Sequence, residues 1–268
     1  MERPRWAPDG LDLDRPSVAR VYDYYLGGSH NFAVDREFAE QVIGQMPNVP
    51  ELTRQNRGFL RRAVRDLARA GVEQFVDLGS GIPTVGNVHD VAQEINPAAR
   101  VAYVDWDPVA VAHGQAILED NPRTAVIGAD LRDPAAVFAQ PAVSALIDPA
   151  KPTAVLLIAV LHFVPDEEKP ADLVAAIAGL LAPGSYIAIS HASPEKEESV
   201  LDRAATLYRQ TASPVTTRSP AEIAALFGDL EMLDPGVVRT PLWRPDFPDE
   251  LGPEAAAYPG CAGVARVG

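Results

Sequence analysis

Apolar and polar positions keep two different rhythms along this chain. Over residues 17–70 the apolar ones recur every three or four positions, the period of helices packed on one side. Val18, Val21, Tyr22, Tyr25 and Leu26 share a face from Ser17 onward, and Gly27 and Gly28 stop that helix and make a hinge. The segment 29–36 leads into a second helix that runs to about Gln45. A third is expected over about Glu51–Ala70, with Leu52, Phe59, Leu60, Ala63, Val64 and Leu67 inward and Gly71 closing it. Its arginines at 54, 57, 61, 62, 65 and 69 read as a mostly solvated face.

From Phe75 the rhythm changes to short apolar runs. The runs 74–78, 101–104, 124–127, 154–160 and 186–189 read as strands, and 154–160, the most apolar, is expected at the centre with both faces buried. The first belongs to Phe75-Val-Asp-Leu-Gly-Ser-Gly-Ile-Pro-Thr84, a strand that turns on Gly79 and Gly81. Pro83 suits the first turn of the helix expected next, whose apolar positions are Val85, Val88, Val91, Ala92 and Ile95. Asp107-Pro108 and Asp133-Pro134 each read as a helix cap followed by a first helical residue. A helix over about 166–181 ends at Pro183-Gly184, and a charged one is expected over about 193–211. Ser219-Pro-Ala-Glu222 is a capping box, 231–233 a sixth strand, 241–259 a proline-rich connection and 261–267 a last strand. The proline-rich, charged residues 1–15 are expected to form a poorly ordered arm. This alternation predicts a doubly wound, Rossmann-like α/β sheet that binds ligands at the carboxyl ends of its strands. The expected division is an arm and helical cap or lid over 1–70 and a ligand-binding sheet domain over 71–268.

Composition narrows the partners. With 268 residues and 47% hydrophobic content the chain can bury a full core. No apolar run approaches the roughly 18 residues of a membrane span, and charge and proline stand where a signal peptide needs an apolar stretch, so a cytoplasmic protein with no membrane partner is expected. Cys261 is the single cysteine, which leaves no internal disulfide and no cysteine zinc site. No His, Cys and acid cluster has metal-ligand spacing, so no metal is expected. The formal charge of −14 disfavours nucleic acid and leaves a small molecule, or a protein, as the partner. The oligomeric state is left open.

Candidate chemistry sits at the strand tips. Asp77, Asp105 and Asp130 each close an early strand, which the fold brings to one edge of the sheet. One such aspartate is commonly a cap or a turn former; three after a Gly-x-Gly turn suit a polyvalent ligand. A carboxylate at the glycine turn repels pyrophosphate and can receive an ammonium. Asp105 can accept from ribose hydroxyls, Trp106 can lie on a purine and Asp130 can accept from an exocyclic amine. S-Adenosylmethionine has all of these parts. A dinucleotide fingerprint would need glycine where Thr84 stands and an acid nearer than Asp105.

These residues carry a resemblance to the class I S-adenosylmethionine-dependent methyltransferases, and more closely to an actinobacterial family of that class whose substrates are mostly unassigned. Its marks are Ala19-Arg-Val-Tyr-Asp-Tyr-Tyr-Leu-Gly-Gly28, Asn31-Phe-Ala-Val-Asp-Arg36, Asn56-Arg57, the glycine stretch 75–84, Tyr103-Val-Asp-Trp-Asp-Pro108, Asp130-Leu-Arg-Asp-Pro134, Ser190-His191, Pro235-Gly236 and Trp243-Arg-Pro245. The resemblance implies a seven-stranded sheet with its last strand antiparallel, and helices before the sheet that cap the donor. It implies that Gly79, Ser80 and Gly81 line the methionine part, Asp105 the ribose, Trp106 the adenine face, and Asp130 with Leu131 the adenine edge. Ala159 and the residues after it would lie beneath the methionine end. Arg57, beside Asn56, suits the methionine carboxylate, against the alternative of one more solvated arginine.

Methyl transfer needs in-line alignment and a deprotonated nucleophile. His162, just past the fourth strand, is the first candidate base and His191, after the fifth, the second; a loop histidine that satisfies backbone groups is the alternative for each. His30 reads as a lid contact, and Tyr22, Tyr24 and Tyr25 as a packing stripe. The expected function is S-adenosylmethionine-dependent methyl transfer to a small molecule. A non-catalytic protein that binds the donor or its product as a regulator or scaffold stands beside it, and a nicotinamide-dependent oxidoreductase stands further off.

Overall fold

A computed structural model describes residues 14–83, 86–194, 207–208 and 214–268. Most of the expected arm, and most of the charged helix expected over 193–211, lie outside these residues; Leu207 and Tyr208 are helical.

Three helices open the described chain: α1 Val18–Tyr25, α2 Ala33–Gln45 and α3 Val49–Arg69. α2 begins before Arg36 because Asp35 reaches back, its Oδ2 accepting from the Phe32 N–H at 2.8 Å. The sheet follows: β1 Gln74–Leu78, β2 Arg100–Asp105, β3 Thr124–Gly128, β4 Thr153–Ile158, β5 Tyr186–Ala192, β6 Glu231–Met232, β7 Val238–Arg239 and β8 Gly260–Arg266. The order is β3-β2-β1-β4-β5-β8-β6, with β7 also pairing on β8. β1 to β5 run parallel, and β8 lies antiparallel to β5, from Tyr186 opposite Arg266 to Ala192 opposite Gly260. Among the described residues eight strands stand where seven were expected. The extra one, β7, pairs Val238 and Arg239 with Ala262 and Cys261, and two residues are too few to show an alternation.

Helices α4 Val88–Ile95, α5 Pro108–Ile117, α6 Pro134–Ala139, α7 Pro141–Leu146, α8 Pro170–Gly179 and α9 Pro220–Ala225 complete the fold. Successive strand residues face opposite layers. Phe75, Val101, Tyr103, Ala154 and Leu156 pack with Phe59, Leu60, Ala63, Val64 and Leu67 of α3. Val76, Leu78, Ala102, Val104, Val155 and Leu157 pack with Val137, Val143, Leu173, Val174 and Ile177. Both faces are covered, which is why the strands read as continuous apolar runs. α3 thus shares the core of the sheet, whereas Val21, Tyr25, Phe38, Ala39, Val42, Met46 and Val49 form a cluster of their own.

Three further expected boundaries move for local reasons. Pro83 does not open a helix; α4 starts at Val88, where Asp90 accepts from the Asn87 N–H at 3.0 Å. The helix expected over 166–181 becomes a 3₁₀ turn, Asp166–Glu168, and then α8, because Pro170 bars Lys169 from the helical region and Lys169 takes φ +50°. β4 stops at Ile158, since Ala159 turns the chain at φ +55°. No helix among the described residues is long and apolar enough to cross a membrane.

Arg62 departs from the solvated face expected for the α3 arginines. It is buried and donates from Nε to the Trp243 carbonyl and from Nη2 to the Thr240 carbonyl, both at 2.9 Å, which fastens the 240–243 turn under Phe59. Arg62→Met removes the side-chain donor from both carbonyls, leaving that of Thr240 with the Trp243 N–H at 3.4 Å, and is expected to cost about 2 kcal/mol in urea unfolding.

Candidate functional site

The site is built where β1, β2, β4 and β5 end. After β1 the backbone turns on Gly79 (φ +73°) and Gly81 (φ +63°), and the N–H groups of Gly79 and Ser80 donate to the Val104 carbonyl at 2.8 and 3.1 Å. A Cβ on Gly79 would stand 2.3 Å from Val160 Cγ2, so glycine is needed there for space as well as for φ.

The Gly81 N–H donates to Asp105 Oδ2 at 2.8 Å, and the Asp107 N–H donates to Asp105 Oδ1 at 2.8 Å. Asp105 is thereby held between the glycine turn and the start of α5. Burial pushes its pKa up to about 6, against the lowering effect of those two N–H groups. Asp107 caps α5 by accepting from Val109 N–H at 2.7 Å, and it also accepts from the Ser17 hydroxyl. Asp77, 3% exposed, is pushed up to about 7 by burial; Arg57 opposes the shift and the Asp105 charge adds to it. Arg57 Nη2 lies 3.3 Å from Asn87 Oδ1.

A second polar chain crosses from α1 and α3 to the sheet. Asn56 Nδ2 donates to the Tyr22 hydroxyl at 3.0 Å, the Ser190 hydroxyl donates to Asn56 Oδ1 at 2.6 Å, and the Ala159 N–H donates to Ser190 Oγ at 2.9 Å. It holds Ala159 in a left-handed conformation that costs a non-glycine residue on the order of 1 kcal/mol.

At the β3 side Asp130 is engaged by Arg132, whose Nη2 lies 2.6 Å from Asp130 Oδ2 and whose Nη1 lies 3.2 Å from Glu168. The same guanidinium lies 5.8 Å from the ring of Trp106, which is 55% exposed. Arg132 holds the Asp130 carboxyl below its usual range. Neither Arg132 nor Glu168 was among the residues expected from the sequence, although Arg132 falls inside the Asp130–Pro134 motif.

One cavity of about 410 Å³ joins these groups. Asn56, Arg57, Asp77, Gly79, Ser80, Gly81, Asp105, Trp106, Asp130, Leu131, Ala159, His162 and His191 all lie on its wall. Tyr22 and Tyr25 line it too, whereas Tyr24 bonds Glu40 at the surface and His30 packs against His113 away from it.

The two candidate bases differ. His191 has Nδ1 2.8 Å from the Ala192 carbonyl and Nε2 2.7 Å from Arg218 Nη1. A carbonyl only accepts and a guanidinium only donates, so His191 is the Nδ1–H tautomer with its lone pair taken. Burial lowers its pKa to about 4. Among the described residues the buried Nδ1 of His162 has no hydrogen-bond partner, and burial, with the nearby Arg218 guanidinium, holds its pKa well below the usual range. Both rings are neutral; of the two, only His162 has a ring nitrogen without a partner among the described residues. Among the described residues no cluster of His, Cys, Asp and Glu could hold a metal.

Comparison with known proteins decides the family. The profile of a family described as S-adenosyl methyltransferase matches residues 4–268. The chain belongs to the S-adenosyl methyltransferase family. A crystal structure from Thermobifida fusca YX, provisionally described as a methyltransferase, is 42% identical to this methyltransferase. It superposes with a TM-score of 0.91 over 98% of this chain and 99% of its own. A DUF574 family protein from Streptomyces avermitilis is 35% identical, with a TM-score of 0.91 over 96% of this chain and 99% of its own. Human N-acetylserotonin methyltransferase, solved in complex with S-adenosylmethionine, shares the fold at 16% identity and a TM-score of 0.51 over 95% of this chain and 63% of its own. No curated protein matches the chain. The protein is thus an S-adenosylmethionine-dependent methyltransferase, and its cavity suits that donor. Two buried carboxylates with raised pKa values call for cationic or hydroxyl partners, and the donor brings an ammonium and a ribose diol.

The carboxylates carry a signature in stability. A carboxyl whose folded pKa is raised stabilises the fold fully below its unfolded pKa of about 4, and that stability is lost as the pH rises through the folded value. For Asp77 the loss ends near its folded pKa of about 7. His162 and His191, buried neutral, act in the opposite sense and cancel when wild type is compared with a variant at Asp77. Asp77→Asn is therefore expected to stabilise the ligand-free methyltransferase by up to about 4 kcal/mol at pH 8, and far less at pH 4, in urea unfolding.

Proposed function

We propose that this methyltransferase holds its donor along the strand tips and passes the methyl group to a small molecule enclosed in the same cavity. The observation that carries the reading is the convergence of Asp77 and Asp105, both buried, on one cavity with the glycine turn. Asp105 receives the ribose hydroxyls through lone pairs that its two backbone donors leave over. Trp106 and Arg132 bracket the adenine, Asp130 and Leu131 take its edge, and Arg57 pairs with the amino-acid carboxylate. Asp77 neutralises the amino group, a second cation beside that of Arg57. Gly79, Ser80 and Gly81 supply backbone close to the methionine part, and the Asn56–Ser190–Ala159 chain fixes the β4 tip beneath it.

S-Adenosylmethionine supplies an electrophilic methyl group on a sulfonium. The chain itself supplies alignment, exclusion of water and a site for the acceptor's proton, which we assign to His162. Val42, Met46 and Leu52 from the cap side and Tyr258 from the proline-rich connection wall the cavity, so the acceptor is a small molecule rather than a polymer. Tyr258 donates to the Leu52 carbonyl at 2.7 Å and ties that connection to α3.

Calorimetric titration with S-adenosylhomocysteine tests the assignment. Asp105→Ala is expected to weaken binding by about 100-fold, and Asp77→Asn by about 10-fold. Because the ionised carboxyls accept more strongly and alone offset the ammonium charge, wild-type affinity is expected to rise as the pH passes the pKa values of about 6 and about 7, with the upper part of the rise missing in Asp77→Asn. Unchanged affinity in Asp105→Ala would refute the site.

A further inference from the structure

Past the end of β3 a guanidinium is held between two carboxylates on the cavity wall. Asp130 and Arg132 follow β3, and Glu168 belongs to the 3₁₀ turn Asp166–Glu168 beyond β4. Asp130 Oδ1 accepts from the Arg132 backbone N–H and from Nε, both at 2.9 Å, and Oδ2 accepts from Nη2 at 2.6 Å. Nε also lies 2.9 Å from Oδ2, so its hydrogen is shared by both oxygens. Nη1 reaches Glu168, whose Oε1 and Oε2 each lie 3.2 Å away. The backbone of Asp130 is fixed as well, its carbonyl accepting from the Asp133 N–H at 3.1 Å.

A carboxylate has about four lone pairs to offer. Those of Oδ1 go to the Arg132 N–H and Nε–H, and Oδ2 gives one to Nη2, which leaves a lone pair on Oδ2 with its direction set. Without the fork, a carboxylate on a side chain 43% exposed would turn freely in water. Arg132 also holds the Asp130 carboxyl below its usual pKa, so it stays ionised and accepts without donating. Glu168 in turn keeps the guanidinium from swinging its own N–H groups toward a ligand.

We propose that Arg132 and Glu168 are positioning residues that decide which base the donor site takes: they aim the spare lone pair of Asp130 Oδ2 at the exocyclic amine of adenine and so turn away a 6-oxopurine. The assignment rests on the donor placement proposed above, in which Asp130 takes the adenine edge. An amine donates to that lone pair, whereas a carbonyl oxygen in its place sets acceptor against acceptor with no proton between them. A free carboxylate would escape by rotating and taking up water, and a free guanidinium would meet the carbonyl oxygen with a donor of its own. Held by Asp130 on one side and Glu168 on the other, Arg132 closes both escapes. Selectivity then comes from groups fixed before the ligand arrives, beyond what the carboxylate alone would give. Trp106, 5.8 Å from the guanidinium, offers its ring face to either base and does not discriminate.

The test titrates the full chain in a calorimeter with S-adenosylhomocysteine and with S-inosylhomocysteine, which carries a carbonyl oxygen in place of the amine. Wild type is expected to bind the first about 100-fold more tightly. Arg132→Met is expected to reduce that ratio to about 10-fold, and Glu168→Ala to about 30-fold. Arg132→Lys keeps the charge without the planar fork and is expected to behave as Arg132→Met does. A merely structural role would weaken both ligands alike and leave the ratio unchanged. Glu168→Ala alters a side chain 38% exposed, so it keeps the test decisive where Arg132→Met binds too weakly to measure. Failure of S-adenosylhomocysteine to bind wild type would remove the donor reading and this proposal with it. Normal binding of S-adenosylhomocysteine with a wild-type ratio near one, an unchanged ratio in Arg132→Met and Glu168→Ala, or full selectivity in Arg132→Lys would overturn the positioning role and leave the Asp77 and Asp105 contacts standing. Tighter binding of S-adenosylhomocysteine by Arg132→Met would overturn it as well, since the guanidinium would then compete with the amine for Asp130.

Discussion

A carboxylate buried at a strand tip must be held by donors, and in this protein Asp105 is held from two directions. The Gly81 N–H fixes one oxygen and the Asp107 N–H the other, so the glycine turn after β1 and the start of α5 are tied through one side chain. Asp107 passes the tie outward, since it caps α5 and receives the Ser17 hydroxyl at the entrance to α1. Arg20 of α1 then pairs with Asp35 of α2 at 2.9 Å, with both side chains buried. Helices α1 and α2 are therefore placed by the same acidic network that shapes the cavity wall. Breaking one partner of such a buried pair leaves an uncompensated charge, which makes the arrangement rigid whatever its net contribution to stability.

The network also explains why a site can be built from groups that each disfavour the empty fold. Asp77 and Asp105 hold raised pKa values and Ala159 holds a strained backbone, and all three face one cavity. Strain and desolvation collected in one place are compensated by the core on either side of the sheet and by a ligand that supplies the missing partners. Ser190 and Asn56 show the economy of the arrangement: one hydrogen-bonded chain satisfies a buried amide, supports the β4 tip and ties α1 and α3 to the sheet.

Much of this was legible in the residues. Strands buried on both faces announce themselves as apolar runs, and Gly79, Gly81, Asp107-Pro108 and Ser219–Glu222 mark turns and caps through local chemistry that tertiary contacts do not override. What stayed hidden depended on distant partners. Arg62 reads as solvated because its spacing on α3 is that of an exposed arginine, and only the carbonyls of residues 240 and 243 explain its burial. Arg132 and Glu168 are joined across 36 positions, and no local pattern links them. His162 and His191 look equivalent in sequence; Arg218, from a third segment, separates them by taking the lone pair of one. The two-residue strand β7 lacks the length to show any period.

The account's central claim is that the strand-tip carboxylates select an amino-acid-bearing nucleoside and reject a dinucleotide. The most direct measurement is a calorimetric comparison of S-adenosylmethionine and NAD on the protein stripped of carried-over ligand. Binding of S-adenosylmethionine with a Kd of about 10 μM or tighter, and no detectable heat from NAD, is the predicted result. Binding of NAD with equal or greater affinity would contradict it, because a pyrophosphate could not then be excluded by Asp77 and Asp105 at the glycine turn.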